Sequence, residues 1–175
     1  MTAATLTETP APARSGIGSH QSPVPGTDRW LTPTPIVSAL GRFELAPCGA
    51  PGHELAAETW TPEAGIDGLA RDWTGRVFLN PPYGRETAAW LAKLAEHGTG
   101  TALVFARTET SMWFEHVWPE ASAVLFLRGR LHFLHPDGTR AAHNSGAPSA
   151  LIAYGSHDAE ALAASALEGQ YLRLR

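Results

Sequence analysis

Asn80, Pro81, Pro82 and Tyr83 stand directly behind the short apolar run Val77-Phe78-Leu79, and their residue types suit chemistry on a planar amine. An amino group conjugated to a ring, such as that of adenine, is a poor nucleophile because its lone pair is delocalised. Hydrogen-bond acceptors aimed at its two N–H groups make the nitrogen more pyramidal and expose that pair. The Asn80 side-chain oxygen and the Pro81 carbonyl are two such acceptors, and acceptors fixed where charge develops supply a large electrostatic term. Tyr83 adds a flat face on which a base rotated out of a duplex can stack, worth about 1–3 kcal/mol per base. Asn80 takes no proton at neutral pH, so the amine would release its proton to water after reacting. A plain tight turn uses the same residue types, but the four together at a strand end favour a site.

That chemistry needs a rigid mount. The apolar run is short and flanked by turn-formers, which predicts a buried strand rather than a helix. Two consecutive prolines donate no backbone hydrogen bonds and hold φ near about −65°, so pairing ends there and the Asn80 and Tyr83 side chains keep a fixed presentation. In an open α/β sheet, ligands sit at the carboxyl ends of strands.

The neighbouring elements follow the same alternation. Thr34 with Pro35 behind it has the form of a helix N-cap and a first-turn proline, and predicts a short helix over 35–40 closed by Gly41. Strands are predicted over 43–46, near 56–60, over 101–106 and over 123–127, with helices over 86–97 and 111–117. Asp67-Gly68-Leu69 is a predicted turn. Residues 47–52, Pro-Cys-Gly-Ala-Pro-Gly, end the first strand in a loop that lets a ligand approach the backbone. From 130 onward the pattern changes. Segments 130–134 and 150–154, joined through a turn at 135–138, read as consecutive strands and suggest an antiparallel edge hairpin on an otherwise parallel sheet. A helix over 159–167 and a last strand over 171–173 complete the chain.

The 175 residues suit one domain with a substantial core. Residues 1–27 are Ala, Thr, Pro, Ser and Gly with few large apolar side chains, and read as a flexible tail ahead of a domain over 28–175. Thirteen basic against 17 acidic residues give a charge of −4, so bulk charge does not point to nucleic acid and any such contact must be local. A single cysteine, Cys48, excludes an internal disulfide and suits a reducing compartment. No run approaches the roughly 20 apolar residues that span a bilayer, and no signal-type apolar core opens the chain. A soluble cytoplasmic protein with no membrane partner is expected; the oligomeric state is not legible. His132 and His135 lack a cysteine or carboxylate set at metal-ligand spacing, so no metal site is proposed.

Taken in order, Trp30-Leu31-Thr32-Pro33, residues 43–48, Asp67-Gly68-Leu69, residues 75–84, residues 102–110 and Asn144 to Ser149 resemble the phage-type DNA N-6-adenine methyltransferase family. The resemblance covers roughly residues 28–154. It implies a Rossmann-like methyltransferase fold, S-adenosylmethionine as methyl donor and adenine in double-stranded DNA as acceptor. It also implies that Asn80, Pro81, Pro82 and Tyr83 are catalytic. Trp30, Thr32 and Pro33 resemble the segment beside the methionine end of the donor, Pro47 and Cys48 the loop over which the donor lies, and Asp67 the acidic residue that reads the donor's adenine amine. One position departs from the pattern: Ala46 stands where the family usually carries an aspartate. Glu44 lies on the same strand face and is a candidate to compensate; Glu58 is a weaker candidate for the ribose hydroxyls.

In an acidic chain, Arg128, Arg130 and the histidines after them form a local basic concentration suited to phosphate contacts, and Arg107 at its strand end is the best single candidate for a DNA backbone contact. Two other functions fit the residues: methylation of a protein glutamine amide, whose nitrogen is equally planar, and a catalytically silent DNA-binding module that kept the fold and lost the donor.

Overall fold

The computed structural model describes residues 31–135, 137–141 and 145–175. The predicted tail over 1–27, Trp30 and Asn144 lie outside the described residues.

β3 (Val77–Leu79) is a fully buried inner strand of the sheet. All three of its side chains are buried, and it lies between β1 (Leu45–Ala46) and β4 (Gly100–Phe105), parallel to both. β1 pairs in parallel with the edge strand β2 (Glu58–Thr59). On the other side of β4 come β6 (Ser149–Tyr154), β5 (Ala123–Leu127) and β7 (Gly169–Arg173), each antiparallel to its neighbour. Among the described residues this makes a seven-stranded sheet in the order β2-β1-β3-β4-β6-β5-β7. β1 to β5 all run one way, and β6 and β7 run the other. The carboxyl ends of β1, β3, β4 and β5 therefore emerge along one edge.

Successive side chains of a strand point to opposite faces, and the core divides accordingly. Val77 and Leu79 pack with Trp90, Leu91, Leu94 and Trp113 of α2 (Thr87–His97) and a π-helical turn, Trp113–Val117. Phe78 packs on the other face with Ile36 and Val37 of α1 (Thr34–Ser38) and with Ala159 and Leu162 of α3 (Ser156–Ala164). α2 ends as its sequence predicts: Gly98 takes φ 76° and its N–H donates to the Leu94 carbonyl.

Two expectations are corrected. Pro33, not Thr34, is the N-cap of α1, and no side-chain capping bond is made. Among the described residues the predicted strand over 130–134 does not form, and the antiparallel side of the otherwise parallel sheet is made by β6, β5 and β7. Leu134 instead makes isolated bridges to Leu31 and Arg140. β6 goes to the interior and pairs with β4 along six residues. The reason is burial: every side chain of β6 is buried, and such a strand needs neighbours on both sides, whereas Arg128, Gly129 and Arg130 are exposed.

At the amino end of β3, Arg76 and Asp158 form a buried ion pair, with Nε to Oδ1 at 3.0 Å and the two side chains 9% and 0% exposed. Thr101 of β4 donates its hydroxyl to the same Asp158 oxygen at 2.7 Å. Arg76 Nη1 donates to the carbonyls of Leu40 and Arg42, each at 2.9 Å, and the guanidinium lies over the Phe43 ring, 4.0 Å from its centroid. Removing one partner leaves a buried charge uncompensated. Asp158→Ala is therefore expected to lower the unfolding free energy by about 3–5 kcal/mol, measured by urea titration; a loss below about 1 kcal/mol would show the pair to be dispensable.

Candidate functional site

Asn80 leaves β3 at the carboxyl edge, and the loop behind it is fixed from α2. The Thr87 hydroxyl donates to the Pro82 carbonyl at 2.7 Å and accepts from the Gly84 N–H at 3.0 Å. Asn80 is then held from two other segments. Its Nδ2 donates to Thr32 Oγ1 at 3.0 Å, and its backbone carbonyl accepts from the Cys48 thiol at 3.3 Å. Thr32 is 1% exposed, and its own carbonyl lies 2.9 Å from His53 Nε2.

A cleft of about 590 Å³ opens beside these residues. It is lined by Thr32, Pro47, Cys48, Asp67 and the whole of Asn80 to Tyr83, eight of the residues singled out in the sequence. Their convergence depends on close backbone approaches. A β-carbon on Gly68 would lie 2.1 Å from the Pro47 carbonyl, so that position admits no side chain, and one on Gly49 would lie 2.2 Å from Thr59 Cγ2 and force that side chain to move. Asp67 Oδ1 accepts from the Leu69 N–H at 2.9 Å, so its carboxylate both closes a turn and borders the cleft.

Ala46 lines the cleft with a methyl group, and Glu44 does not replace the missing carboxylate. Glu44 Oε2 instead accepts from the Arg76 N–H at 2.7 Å, outside the cleft lining. The loop after β1 is supported by backbone bonds: the Trp60 N–H donates to the Ala46 carbonyl and the Gly49 N–H to the Trp60 carbonyl, both at 2.9 Å. Glu58 ends up at β2, where its carboxylate accepts from the Trp60 indole N–H and is likewise absent from the lining.

Tyr83 departs from a freely offered platform. One face stacks on Phe105, with centroids 4.1 Å apart and planes at 18°, and Phe133 meets it edge-on at 6.3 Å. Its hydroxyl is buried and finds no partner among the described residues, and burial raises its pKa. Pro33 adjoins Thr32 but is not part of the lining.

Arg107, Arg128 and Arg130 are exposed and also lie outside the cleft lining. They emerge just beyond the ends of β4 and β5, along the edge on which the cleft opens. Arg107 lies 5.9 Å from the centroid of Phe105, the ring that carries Tyr83. Arg128 faces Glu168 at 3.6 Å with both side chains largely in solvent, a pairing of little energetic consequence. His53 and Trp90 are cleft residues that the sequence did not reveal: one sits in a stretch without periodicity, and the other has the spacing of an ordinary core position on α2.

A cleft at the carboxyl edge of parallel strands, floored by apolar side chains and rimmed by a few fixed polar groups, has the placement and lining of small-molecule sites in α/β proteins. The sequence specifies which kind. Over residues 19–167 it matches the DNA N-6-adenine-methyltransferase (Dam) family, and the chain belongs to that family. The family's activity in general is methylation of adenine N6 in DNA. No curated protein and no solved structure matches the chain.

Burial pushes the Cys48 thiol up to about 12, against the smaller opposing effect of its bond to the Asn80 carbonyl. At pH 8 only about one thiol in 10⁴ is then ionised, so alkylation by iodoacetamide should be far slower than for a free thiol and rise about tenfold per pH unit. The native state keeps this proton where the unfolded chain has already released it. The thiol's contribution to stability is therefore full below about pH 8.5 and is lost as pH rises toward 12. Mass spectrometry of alkylated protein between pH 7 and 10 checks the first point, and rapid labelling at pH 7 would contradict it.

Proposed function

We propose that this chain transfers the methyl group of S-adenosylmethionine to the exocyclic amine of adenine in double-stranded DNA, as an enzyme of the phage or prophage type. The observation that carries the reading is the Asn80 to Thr32 hydrogen bond at 3.0 Å. A carboxamide whose nitrogen is engaged on one side has its oxygen turned to the other. Asn80 therefore enters the reaction with its acceptor already aligned, beside the Pro81 carbonyl at the end of a buried strand. An oriented acceptor costs no reorganisation when the amine reacts.

The cleft residues fit a donor of this kind. Its volume lies within the roughly 300–1,000 Å³ of small-molecule sites, and Ile66, Leu69 and Trp90 give it apolar walls next to the Asp67 carboxylate. In this reading Asp67 would receive the donor's adenine amine, the donor would lie over the backbone of Pro47 and Cys48, and Thr32 and Pro33 would stand beside its methionine end. S-adenosylmethionine supplies an electrophilic methyl group. The chain's own residues do the rest. Asn80 and Pro81 accept the two amine N–H groups, Pro82 keeps the loop rigid, and the face of Tyr83 turned away from Phe105 stacks the extruded base. The departing proton goes to water, since Asn80 cannot hold it. Arg107, Arg128 and Arg130 neutralise phosphates along the same edge and set the register without reading sequence.

Residues 28–175 form the catalytic domain in this reading, and its DNA substrate suits a cytoplasmic protein. Among the described residues no helix is long and apolar enough to cross a membrane.

Tritiated donor offered with mixed-sequence DNA and with total protein tests the proposal. Label is expected in DNA. Asn80→Ala should lower the rate about 10²- to 10³-fold with its thermal transition within a few degrees of wild type. Label in protein would reassign the acceptor to a glutamine amide. No label from wild type, or equal rates for wild type and Asn80→Ala, would overturn the reading.

A further inference from the structure

Asn80 is tied to the loop after β1 by two separate routes. The direct one is the Cys48 thiol on its backbone carbonyl, at 3.3 Å. The second passes through Thr32: His53 Nε2 stands 2.9 Å from the Thr32 carbonyl, and Thr32 Oγ1 accepts from Asn80 Nδ2 at 3.0 Å. A carbonyl oxygen only accepts, so the nitrogen facing it carries the proton, and the imidazole is the donor. Cys48, His53, Thr32 and Asn80 all line the one cleft.

The backbone of Thr32 is fixed through its neighbours, whereas among the described residues the His53 imidazole is the side chain that bonds its carbonyl. The residue before it, Leu31, exchanges a pair of backbone hydrogen bonds with Leu134, both at 2.9 Å, and the residue after it is a proline without an N–H. Thr32 is nearly wholly buried, and removing the imidazole takes a hydrogen-bond donor away from its carbonyl. Its hydroxyl is the group that selects which way the Asn80 carboxamide faces. His53 also closes a tight turn of its own, with its N–H on the Ala50 carbonyl at 3.2 Å, which gives the imidazole a fixed base.

From this geometry we infer that His53 is a positioning residue for the methylation reaction: it holds Thr32, Thr32 holds the Asn80 carboxamide, and the loop between β1 and β2 thereby sets the alignment of the acceptor on β3. The catalytic meaning of the relay rests on the reading of the site as an amine methylase. The relay itself does not.

Two measurements on the full chain separate these. The first is the side-chain amide signal of Asn80 in ¹⁵N-labelled protein, identified by its absence from Asn80→Ala. His53→Ala should shift it and speed its hydrogen exchange. His53→Gln, whose amide N–H reaches close to the position of Nε2, should return it toward the wild-type position. An unchanged signal in His53→Ala overturns the relay whatever the activity.

The second is steady-state transfer to DNA. His53→Ala should lower kcat about 10- to 100-fold while KM for DNA and for S-adenosylmethionine stays within about threefold, and His53→Gln should recover most of kcat. A merely structural residue would instead lower the thermal transition and the active fraction, without rescue by glutamine. An unchanged kcat alongside a shifted Asn80 signal overturns the positioning role. A wild-type protein that labels no DNA overturns the methylase reading, and the Asn80 signal then decides the relay alone.

Discussion

The Arg76 to Asp158 ion pair is the constraint on which the sheet's geometry depends. Taking both charges out of water is costly, and the attraction between them offsets that cost only when the remaining donors and acceptors are also satisfied. The chain meets much of this requirement by drawing in the Leu40 and Arg42 carbonyls and the Thr101 hydroxyl, while Arg76 Nη2 and Asp158 Oδ2 stay buried without a hydrogen-bond partner among the described residues. Each of these belongs to a different part of the chain, so satisfying one charged pair fixes the α1–β1 connection, the start of β3, β4 and the first turn of α3 relative to one another. All of it lies at the amino edge of the parallel strands. The opposite edge is thereby left to loops, each springing from a strand whose position is already determined.

Those loops are stitched together by a different kind of bond. Single hydrogen bonds between neutral groups contribute only about 0.5–1.5 kcal/mol each, so Asn80, Thr32, Cys48 and His53 are not what makes the protein stable. Their effect is on direction: the Cys48 thiol holds the Asn80 backbone carbonyl and the Thr32 hydroxyl holds the Asn80 carboxamide nitrogen. Glycine supplies the proximity this needs, since the turn carrying Asp67 meets the loop after β1 only because position 68 has no side chain. Ala46 brings no carboxylate to the cleft, and the loop after β1 is held by backbone bonds to Trp60, the residue that follows β2.

Much of this was legible beforehand, for physical reasons that differ by segment. Val77 to Leu79 is short, apolar and stopped by two prolines, so its identity as a buried strand could be read directly. Residues 123–127 and the helix ending at Gly98 carried equally local signals. Eight of the candidate site residues meet in one cleft because order along the chain and strand direction together decide what reaches the carboxyl edge. The misread parts are those where tertiary pairing decides. Nothing local distinguishes residues 130–134 from a strand, yet only Phe133 of that segment is buried, and Arg128 to Arg130 before it are exposed. Thr34 has the residue type of a cap but lies inside the helix that Pro33 begins. His53 carries no sequence signal at all, since its partner is a backbone carbonyl 21 residues away. The stacking of Tyr83 on Phe105 was hidden for the same reason.

The place of β6 has a consequence for how the molecule is made. This strand comes after β5 in the chain but sits between β4 and β5, with Gly100 facing Tyr154 across the longest ladder of the sheet. Until residues 149–154 have left the ribosome, β4 presents a bare apolar edge and β5 has no seat in the sheet. Synthesis therefore produces a half-sheet with an open flank, the kind of surface on which other chains add strands. Completion requires an insertion between two elements rather than growth at a margin. Such long-range pairing is slow because loop closure must precede any gain from contact, so the rate of folding should be governed by the last third of the chain, well after the candidate site in sequence.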